Sequence, residues 1–255
     1  MRRALGPDAS AREIARAVDR VFEWYGRYWL DSFRLPHLDV AEIDRGFTHE
    51  GIEAITRAME QGRPPIVALP HLGGWEWAAA WITQVMGVPV TAVAERLEPP
   101  EVFDWFLELR RSMGLDVVAL GPRAAAELSA ALAGGHALAL LCDRDLSGDG
   151  IEVEFFGEPV RLPGGPALLA LRSGSPLLPS AVYFKDDGRC HGVVGAPLDT
   201  ERRGRLREDV ARVTQDLAHE MEALIRRAPE QWHLLQPSWP SDYEALDREQ
   251  VPSTS

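Results

Sequence analysis

A histidine and a glutamate lie five positions apart in a segment that can bring both side chains to one place. His71 follows the short apolar run Ile66–Leu69, two glycines come next, and Glu76 falls at the predicted start of a helix. Histidine suits proton abstraction near neutral pH, and a carboxylate on its second ring nitrogen would fix the tautomer and stabilise the imidazolium. The H-x4-E spacing therefore predicts a dyad that activates a substrate hydroxyl. A lone histidine after a strand is more often structural, and the Gly-Gly and the glutamate are what favour catalysis here.

Charged residues also follow two other predicted strands. Glu95 follows one of them, and Asp143, Arg144 and Asp145 follow another. Because ligands of open α/β sheets bind beyond the carboxyl ends of the strands, these residues should lie at the same edge as His71. Arg-Asp pairs are usually surface ion pairs of little energy, and that alternative stays open for Arg144.

A further segment combines aromatic rings, an arginine and glycines. Phe155 and Phe156 come first, Arg161 follows, and residues 163–166 read Pro-Gly-Gly-Pro at the predicted start of a helix. Backbone amides at a helix N-terminus can receive an anion, and a guanidinium can add a charge-assisted hydrogen bond. The segment therefore predicts an anion-binding element.

The elements that must position these residues alternate between short apolar strands and helices. Continuous apolar strands separated by helices specify a mostly parallel sheet covered on both faces. The predicted fold is α/β, a three-layer α/β/α sandwich with a central mostly parallel sheet in a single domain. The predicted helices are Ile52–Gln61, Trp75–Met86, Glu101–Met113, Arg123–Ala133, Pro166–Arg172 and Arg205–Arg227, and the predicted strands are Ile66–Leu69, Val88–Ala94, Asp116–Leu120, Ala137–Cys142, Ile151–Phe156, Leu177–Phe184 and Cys190–Gly195.

An amphipathic helix rich in aromatic residues is predicted over Asp8–Arg34, with Asp8 or Ser10 as its cap and Pro36 ending it. Its aromatic stripe either packs on the rest of the protein or faces a membrane or a partner. Prolines near residue 240 indicate a loose tail. The predicted organisation is an N-terminal helix over residues 1–36 packed on the core, an enzyme domain over 37–240, and a flexible tail over 241–255.

Composition argues against several other classes of protein. The 255 residues carry 27 Lys and Arg against 39 Asp and Glu, and this net charge of −12 argues against a nucleic-acid partner. Cys142 and Cys190 form no C-x-x-C pair, which fits a reducing compartment, and the histidines show no metal-ligand spacing, so no metal is predicted. No apolar run is long enough to span a bilayer. The sequence has no Gly-x-Ser-x-Gly elbow and neither cysteine has a visible base partner, which leaves direct attack without a covalent enzyme intermediate.

Taken together, these segments resemble the bacterial lipid A biosynthesis lauroyl/myristoyl acyltransferase family, within the lysophospholipid acyltransferase superfamily. The resemblance rests on the H-x4-E motif, the Asp143-Arg144-Asp145 element and the stretch Phe155–Ala170, and it covers roughly residues 20 to 240. The segments Ala94–Pro99 and Asp143–Gly148 are most similar to the actinobacterial branch that acylates phosphatidylinositol mannosides.

The resemblance implies transfer of a long fatty acyl group from acyl-CoA to a mannose hydroxyl of a phosphatidylinositol mannoside. By the same resemblance, His71 is the base and Glu76 the acidic residue of the motif, while Asp145 helps to orient the histidine. Glu95 and Arg110 match positions that hold the polar head group. We expect a peripheral protein at the cytoplasmic face of the plasma membrane, with acyl-CoA, a glycolipid acceptor and the membrane surface as partners and no cofactor.

Two further expectations concern how the acyl donor is bound. Arg144 is our own candidate to bind the thioester oxyanion or a phosphate. An apolar channel lined by Trp75, Phe155 and Phe156 is expected beside His71, because a long hydrocarbon tail must be removed from water. These rings are alternatively parts of the core. Members of the family carry a further apolar N-terminal segment, so the chain is expected to be truncated or to have a misassigned start.

Two other functions stay open on the same residues. The first is a His/Glu hydrolase of acyl esters or thioesters, in which water replaces the acceptor hydroxyl. The second is a catalytically silent lipid-binding module. The three functions differ in what an assay would show. An acyltransferase acylates a glycolipid acceptor, a hydrolase releases the acyl group without an acceptor, and a lipid-binding module binds lipid without turnover.

Overall fold

The central sheet of the protein, described here in a computed structural model, is formed by apolar runs whose alternate residues are buried on opposite faces. In the run that precedes His71, Ile66 and Ala68 belong to the core on one face of the sheet, and Val67 and Leu69 to the core on the other. A strand that is apolar on both sides has to be covered on both faces. The structure describes residues 1–96, 98–146 and 148–250, without the side chains of 247, 249 and 250.

Nine strands lie in the described part of the chain, seven in the central sheet and two in a separate antiparallel hairpin. They are β1 (Phe47–Glu50), β2 (Ile66–Leu69), β3 (Val90–Ala94), β4 (Leu115–Ala119), β5 (Ala137–Leu141), β6 (Ile151–Phe155), β7 (Glu158–Leu162), β8 (Leu177–Phe184) and β9 (Cys190–Val194).

The central sheet has the strand order β1-β9-β8-β2-β5-β3-β4, and β6 and β7 form the hairpin. Among the described neighbours in the central sheet, only β8 and β9 are antiparallel. Because β2 and β5 lie at the middle of this order, the residues that follow them leave the sheet at its centre. This is the position at which open α/β sheets bind their ligands.

Helices of the described residues cover the sheet. They are α1 (Arg2–Leu5), α2 (Ala11–Arg34), α3 (Val40–Arg45), α4 (Glu53–Glu60), α5 (Trp75–Gln84), α6 (Pro100–Ser112), α7 (Ala124–Ala133), α8 (Gly165–Ser173), α9 (Leu206–Arg226) and α10 (Pro240–Gln250).

Two apolar cores, one on each face of the sheet, separate the three layers. Tyr28 of α2, Ile55 of α4 and Trp81 of α5 belong to one core. Leu128 of α7 and Leu217 of α9 belong to the other. The predicted α/β/α sandwich with a mostly parallel sheet is therefore confirmed.

The N-terminal helix follows its local sequence signals. Ser10 caps α2 and forms a reciprocal capping box with Glu13, which identifies Ser10 rather than Asp8 as the cap. The helix ends at Arg34, two residues before Pro36, as the proline predicts.

Several regions differ from the sequence-based expectations, and two short elements that were not predicted are α1 and β7. β1 and α3 were not predicted, since Phe-Thr-His-Glu offers a single apolar residue and β1 is an edge strand. The chain forms α10 where a flexible tail was expected, because Asp242 accepts hydrogen bonds from the amides of Ser238 and Trp239 and pairs with Arg3. Residues 251–255 of the expected tail lie outside the described residues.

Candidate active site

His71 and Asp143 meet because the strands before them are adjacent and in register. β2 and β5 are parallel neighbours, and Leu69 pairs with Leu141 at their carboxyl ends. The amide of Cys142 donates to the carbonyl oxygen of Leu69 at 2.9 Å and continues the pairing. Each of the two polar residues lies two positions after the paired leucine of its strand, so their side chains leave the sheet together.

The Asp143 carboxylate holds both the ring and the backbone of His71. One oxygen lies 2.6 Å from His71 Nδ1, and the other accepts hydrogen bonds from the His71 amide at 2.9 Å and from the Trp232 indole at 2.7 Å. Burial of Asp143, which is 1% exposed, opposes ionisation. The charge of His71 and the hydrogen bonds from His71 and Trp232 nevertheless bring the pKa of Asp143 below its ordinary value.

This arrangement defines which nitrogen of His71 can act as a base. An ionised carboxylate only accepts hydrogen bonds, so Nδ1 carries the proton and the lone pair of the neutral ring is on Nε2. The His71 side chain is 19% exposed, and Nε2 is therefore the nitrogen left for a substrate. In this geometry a histidine can serve as a general base and the carboxylate can hold its ring in place.

A segment near the C-terminus, Gln231–His233, fixes the loop that carries His71. The amide of Gly73 donates to the carbonyl oxygen of Gln231 at 3.0 Å, and the amide of His233 donates to the carbonyl oxygen of His71 at 2.7 Å. The Gln231 side chain in turn bonds both the amide and the carbonyl of Phe184 in β8, at 2.7 and 3.0 Å. The loop is thus tied to the sheet through a distant part of the chain.

Gly73 is the residue that lets this loop turn. Its φ is +61°, and a Cβ atom there would collide with the carbonyl oxygen of Val182. Any other residue would be strained in this conformation. The first glycine of the H-x4-E motif is therefore required by the close approach of the loop to β8.

The prediction of a hydrogen bond between His71 and Glu76 is wrong, because the carboxylate that reaches the imidazole is that of Asp143. Glu76 is 3% exposed and lies in the first turn of α5. Its Oε1 lies 2.8 Å from Arg110 Nη2 and accepts a 3.3 Å hydrogen bond from the Tyr28 hydroxyl. The helix start turns Glu76 toward α2 and α6, where a guanidinium neutralises it.

Replacing Glu76 with glutamine should therefore act on stability more than on the proton transfer. It leaves the Arg110 charge buried without its partner, and we expect the free energy of unfolding to fall by about 3 kcal/mol. Urea unfolding measures this loss. The double variant Glu76→Leu/Arg110→Met should be less destabilised than the sum of its single variants, and strict additivity would contradict the pairing.

Asp145, the other carboxylate expected to orient His71, has a different position. Its two oxygens accept hydrogen bonds from the amides of Gly148 and Gly150, at 3.1 and 2.9 Å. A carboxylate that accepts amide hydrogens from residues shortly after it in the chain stabilises a turn. Asp145 therefore shapes the loop after β5, while Asp143, two residues earlier, meets the histidine.

The expected head-group residues are placed at two locations. Glu95 and Arg144 come together beyond the carboxyl ends of the strands, where Arg144 Nη2 lies 2.9 Å from Glu95 Oε2. Arg144 Nη1 also donates a hydrogen bond to Gln236 Oε1 at 2.7 Å. Arg110 lies inside, where the charge of Glu76 raises the pKa of its guanidinium above the ordinary value. Arg110 therefore acts first as the internal partner of Glu76.

The segment expected to bind an anion and an acyl chain lies behind the site. Arg161 of β7 donates to the carbonyl oxygen of Gly150 at 3.2 Å, beside the loop after β5. Phe155 and Phe156 belong to the core under α9, and Phe156 packs against the Trp232 ring. The two phenylalanines support the tryptophan that bonds Asp143, which fits the alternative that these rings are parts of the core.

Aromatic rings surround the remaining side of His71. The Trp75 ring lies edge-on to the His71 ring with centroids 5.6 Å apart, and it stacks on Tyr28 at 4.3 Å. The His233 ring contacts Trp75, Tyr28 and Tyr25. Trp75 is thus brought to the site as expected, although as one member of an aromatic cluster that joins α2, α5 and the C-terminal segment.

Sequence reasoning missed Trp232 and His233, which are essential parts of this geometry. Neither follows a predicted strand, and His233 shows no metal-ligand spacing to the other histidines. The antiparallel bridge between Trp232 and Leu72 is a pairing over a long sequence separation, which local patterns do not reveal.

The α/β sandwich with a His–Asp pair at the carboxyl edge of its sheet is compatible with several enzyme classes, and comparison with known proteins identifies the class as acyltransferase. The family model of the bacterial lipid A biosynthesis acyltransferases matches residues 1–241, and the chain belongs to this family. The predicted resemblance is thereby confirmed.

Curated relatives include two mycobacterial enzymes. The phosphatidylinositol mannoside acyltransferase of Mycolicibacterium smegmatis is 37% identical over 253 aligned residues, which cover 93% of this chain and 81% of the relative. The phosphatidylinositol mannoside acyltransferase of Mycobacterium tuberculosis (strain H37Rv) is 39% identical over 236 residues, which cover 91% of this chain and 72% of the relative.

In the part of this chain that the structure describes, no helix is both long and apolar enough to cross a membrane.

Proposed function

We propose that the protein transfers a long-chain fatty acyl group from acyl-CoA to a mannose hydroxyl of a phosphatidylinositol mannoside. The observation that carries the proposal is the Asp143–His71 pair at the carboxyl edge of the sheet, with Nε2 left as the base. The names of the relatives support the choice of acceptor.

The proton transfers of the proposed reaction involve this pair and the two substrates. His71 Nε2 takes the proton of the acceptor hydroxyl as its oxygen attacks the thioester carbon, and Asp143 stabilises the resulting imidazolium. Collapse of the tetrahedral intermediate breaks the C–S bond. The departing thiolate then receives the proton from His71, which restores the neutral base.

The two cysteines are poor nucleophiles, which supports direct attack without an acyl-enzyme. Burial raises the pKa of the Cys142 thiol far above its ordinary range, and burial raises the pKa of Cys190 to about 12. A thiol must ionise to attack, so both are inert at neutral pH.

The test is mass spectrometry of the product after incubation with palmitoyl-CoA and purified phosphatidylinositol mannosides. An acylated mannoside, with free thiol released only when acceptor is present, supports the proposal. Thiol release without acceptor would instead identify a hydrolase, and binding without turnover a lipid-binding module. Fragmentation of the product locates the acylated hydroxyl.

An apolar cavity next to Trp75 is where we place part of the acyl chain. Its volume is about 40 Å³, and it lies between α5 and strands β2, β3 and β5. This is far below the roughly 300–1,000 Å³ of complete ligand pockets, so it receives part of the chain only. The lining includes Val67, Leu69, Trp75, Ala78, Ala79 and Ala139.

Filling the cavity should change the preference for chain length. In Ala78→Phe the new ring should take the space of about two methylene groups of the acyl chain. Two methylene groups that are no longer buried cost about 1.6 kcal/mol of binding, so we expect kcat/KM for palmitoyl-CoA to fall roughly 15-fold. The value for octanoyl-CoA should change little. Ala131→Phe, an equal change packed on the other core, is the matched control. An equal loss for both acyl-CoAs, or for the control, would contradict the placement.

We propose peripheral attachment at the cytoplasmic face of the plasma membrane through the outer side of α2 and α6. Phe33 of α2 and Trp105 of α6 are exposed and in contact, with ring centroids 5.5 Å apart. Arg34 and Arg111, on the same helices, can attract anionic lipid. The aromatic stripe predicted for the N-terminal helix packs on the rest of the protein, the first of its two alternatives, and its residues are Trp24, Tyr25, Tyr28 and Trp29.

Membrane binding is expected to depend on both parts of this surface. Flotation with anionic phosphatidylglycerol vesicles should recover more protein than flotation with neutral vesicles, and added salt should lower the recovery. Phe33→Ser/Trp105→Ser should reduce binding, because the double variant removes the apolar contact. Tyr243→Ser, an exposed aromatic on α10, is the control. Equal recovery of the double variant and the wild type would rule out this surface.

A further inference from the structure

His233 is a buried polar side chain whose ring nitrogens the fold does not satisfy. It is 7% exposed, and neither Nδ1 nor Nε2 has a hydrogen-bond partner among the described residues. Leaving a buried donor or acceptor unpaired is unfavourable, and native structures do so rarely. The proton transfer derived above makes no use of this ring.

The position of His233 connects it to the reacting group. Its amide donates to the carbonyl oxygen of His71, and both rings contact Trp75, with centroids 5.7 Å and 5.6 Å from the indole. Trp75 Nε1 is also buried without a partner in the described part of the chain. Two unused hydrogen-bond donors therefore lie on rings around the base.

The protonation state of His233 decides what it can offer. Burial, with the neighbouring His71 charge as a further cause, lowers the pKa of His233 to about 4. At neutral pH the ring is therefore uncharged, with one N–H donor and one lone pair. An indole offers only a donor.

We propose that the N–H of His233 donates a hydrogen bond to the carbonyl oxygen of the acyl thioester, with the Trp75 indole as a second donor. As the acceptor oxygen bonds the carbonyl carbon, the π electrons of the C=O bond move onto the carbonyl oxygen. Their return re-forms the C=O bond and breaks the C–S bond. Donors in a buried site stabilise this developing charge most strongly in the transition state. This inference rests on the proposed acyl transfer.

The carbonyl oxygen fits these donors better than the acceptor hydroxyl does. A carbonyl oxygen brings two lone pairs and no proton, which matches two donors. The hydroxyl hands its proton to His71 and is oriented by that bond. In Arg144, the earlier candidate for the oxyanion, both terminal nitrogens are already engaged, by Gln236 and Glu95.

Kinetics of His233→Phe test the role, since phenylalanine keeps a ring and removes both nitrogens. We expect kcat to fall about 10²- to 10³-fold while the KM for acyl-CoA and acceptor changes little. His233→Gln or His233→Asn, which each restore a donor, should recover part of the rate. Trp75→Phe should lower kcat as well. An unchanged kcat, or a raised acceptor KM with unchanged kcat, would overturn the assignment.

Binding of two unreactive CoA analogues separates the proposed contact from a structural role. S-hexadecyl-CoA has no carbonyl group, whereas S-(2-oxoheptadecyl)-CoA carries one. His233→Phe should weaken binding of the ketone relative to the thioether, measured by calorimetry. Equal weakening of both would indicate a structural residue and refute the inference. Failure of the proposed function itself shows separately, as lack of transfer by the wild-type enzyme.

Discussion

Replacing His71 with alanine is expected to lower the rate of acyl transfer by roughly 10²- to 10⁴-fold, because the acceptor hydroxyl loses its general base. The fold should be retained, since the side chain lies at a strand end and is partly exposed rather than packed in a core. Initial rates with saturating palmitoyl-CoA and acceptor measure the loss, and circular dichroism checks the fold.

Two variants make this result specific. His219→Ala removes an exposed histidine of α9 and should keep the wild-type rate. Glu76→Gln should retain more activity than His71→Ala, because the His71–Asp143 pair remains. A near-wild-type rate in correctly folded His71→Ala would refute general-base catalysis by His71.

The second large effect is expected for Asp143→Asn. An asparagine can donate to His71 Nδ1, which would place the ring proton on Nε2 and remove the lone pair that accepts the substrate proton. The equivalent change in a serine-protease triad lowers kcat about 10⁴-fold, and we expect a loss of about 10³- to 10⁴-fold here. The matched control is Asp145→Asn, which should lose less than about tenfold because its oxygens bind loop amides.

Nitrogen NMR of the imidazole distinguishes this cause from general disruption of the site. In the wild type the spectrum should show the lone pair on Nε2 of His71, and in Asp143→Asn it should move to Nδ1. Equal losses in Asp143→Asn and Asp145→Asn, or an unchanged tautomer, would contradict the proposed role of Asp143. The comparison therefore decides which carboxylate orients the base.

Much of the architecture follows from local patterns. β2 is a continuous apolar run between Pro65 and Pro70, β5 is one between His136 and Cys142, and the predicted strands match them to within one residue. The edge strand β1 escaped prediction because one face of it is polar. The helix α10 escaped prediction because contacts with Arg3 and with the preceding loop hold it in place.

The sequence predicts where the site lies in the fold, but it does not predict which side chains contact each other there. The sequence places His71, Glu95, Asp143 and Arg144 after strands, and the sheet brings them to one edge. Which carboxylate meets the imidazole depends on strand order and register, and spacing along the chain favoured Glu76 instead. Such long-range information is not contained in a motif of six residues.

The tie between the His71 loop and the segment Gln231–His233 sets when the enzyme can become active during its synthesis. The indole of Trp232 that bonds Asp143 is 89 residues further along the chain, and the amide that fixes the His71 carbonyl follows it. A ribosome delivers the N-terminal part of a chain first. A nascent chain that has exposed α2 through α9 therefore holds the base without its supports. The His71–Asp143 pair therefore has its full set of supports only after residues 231–233 have left the ribosome.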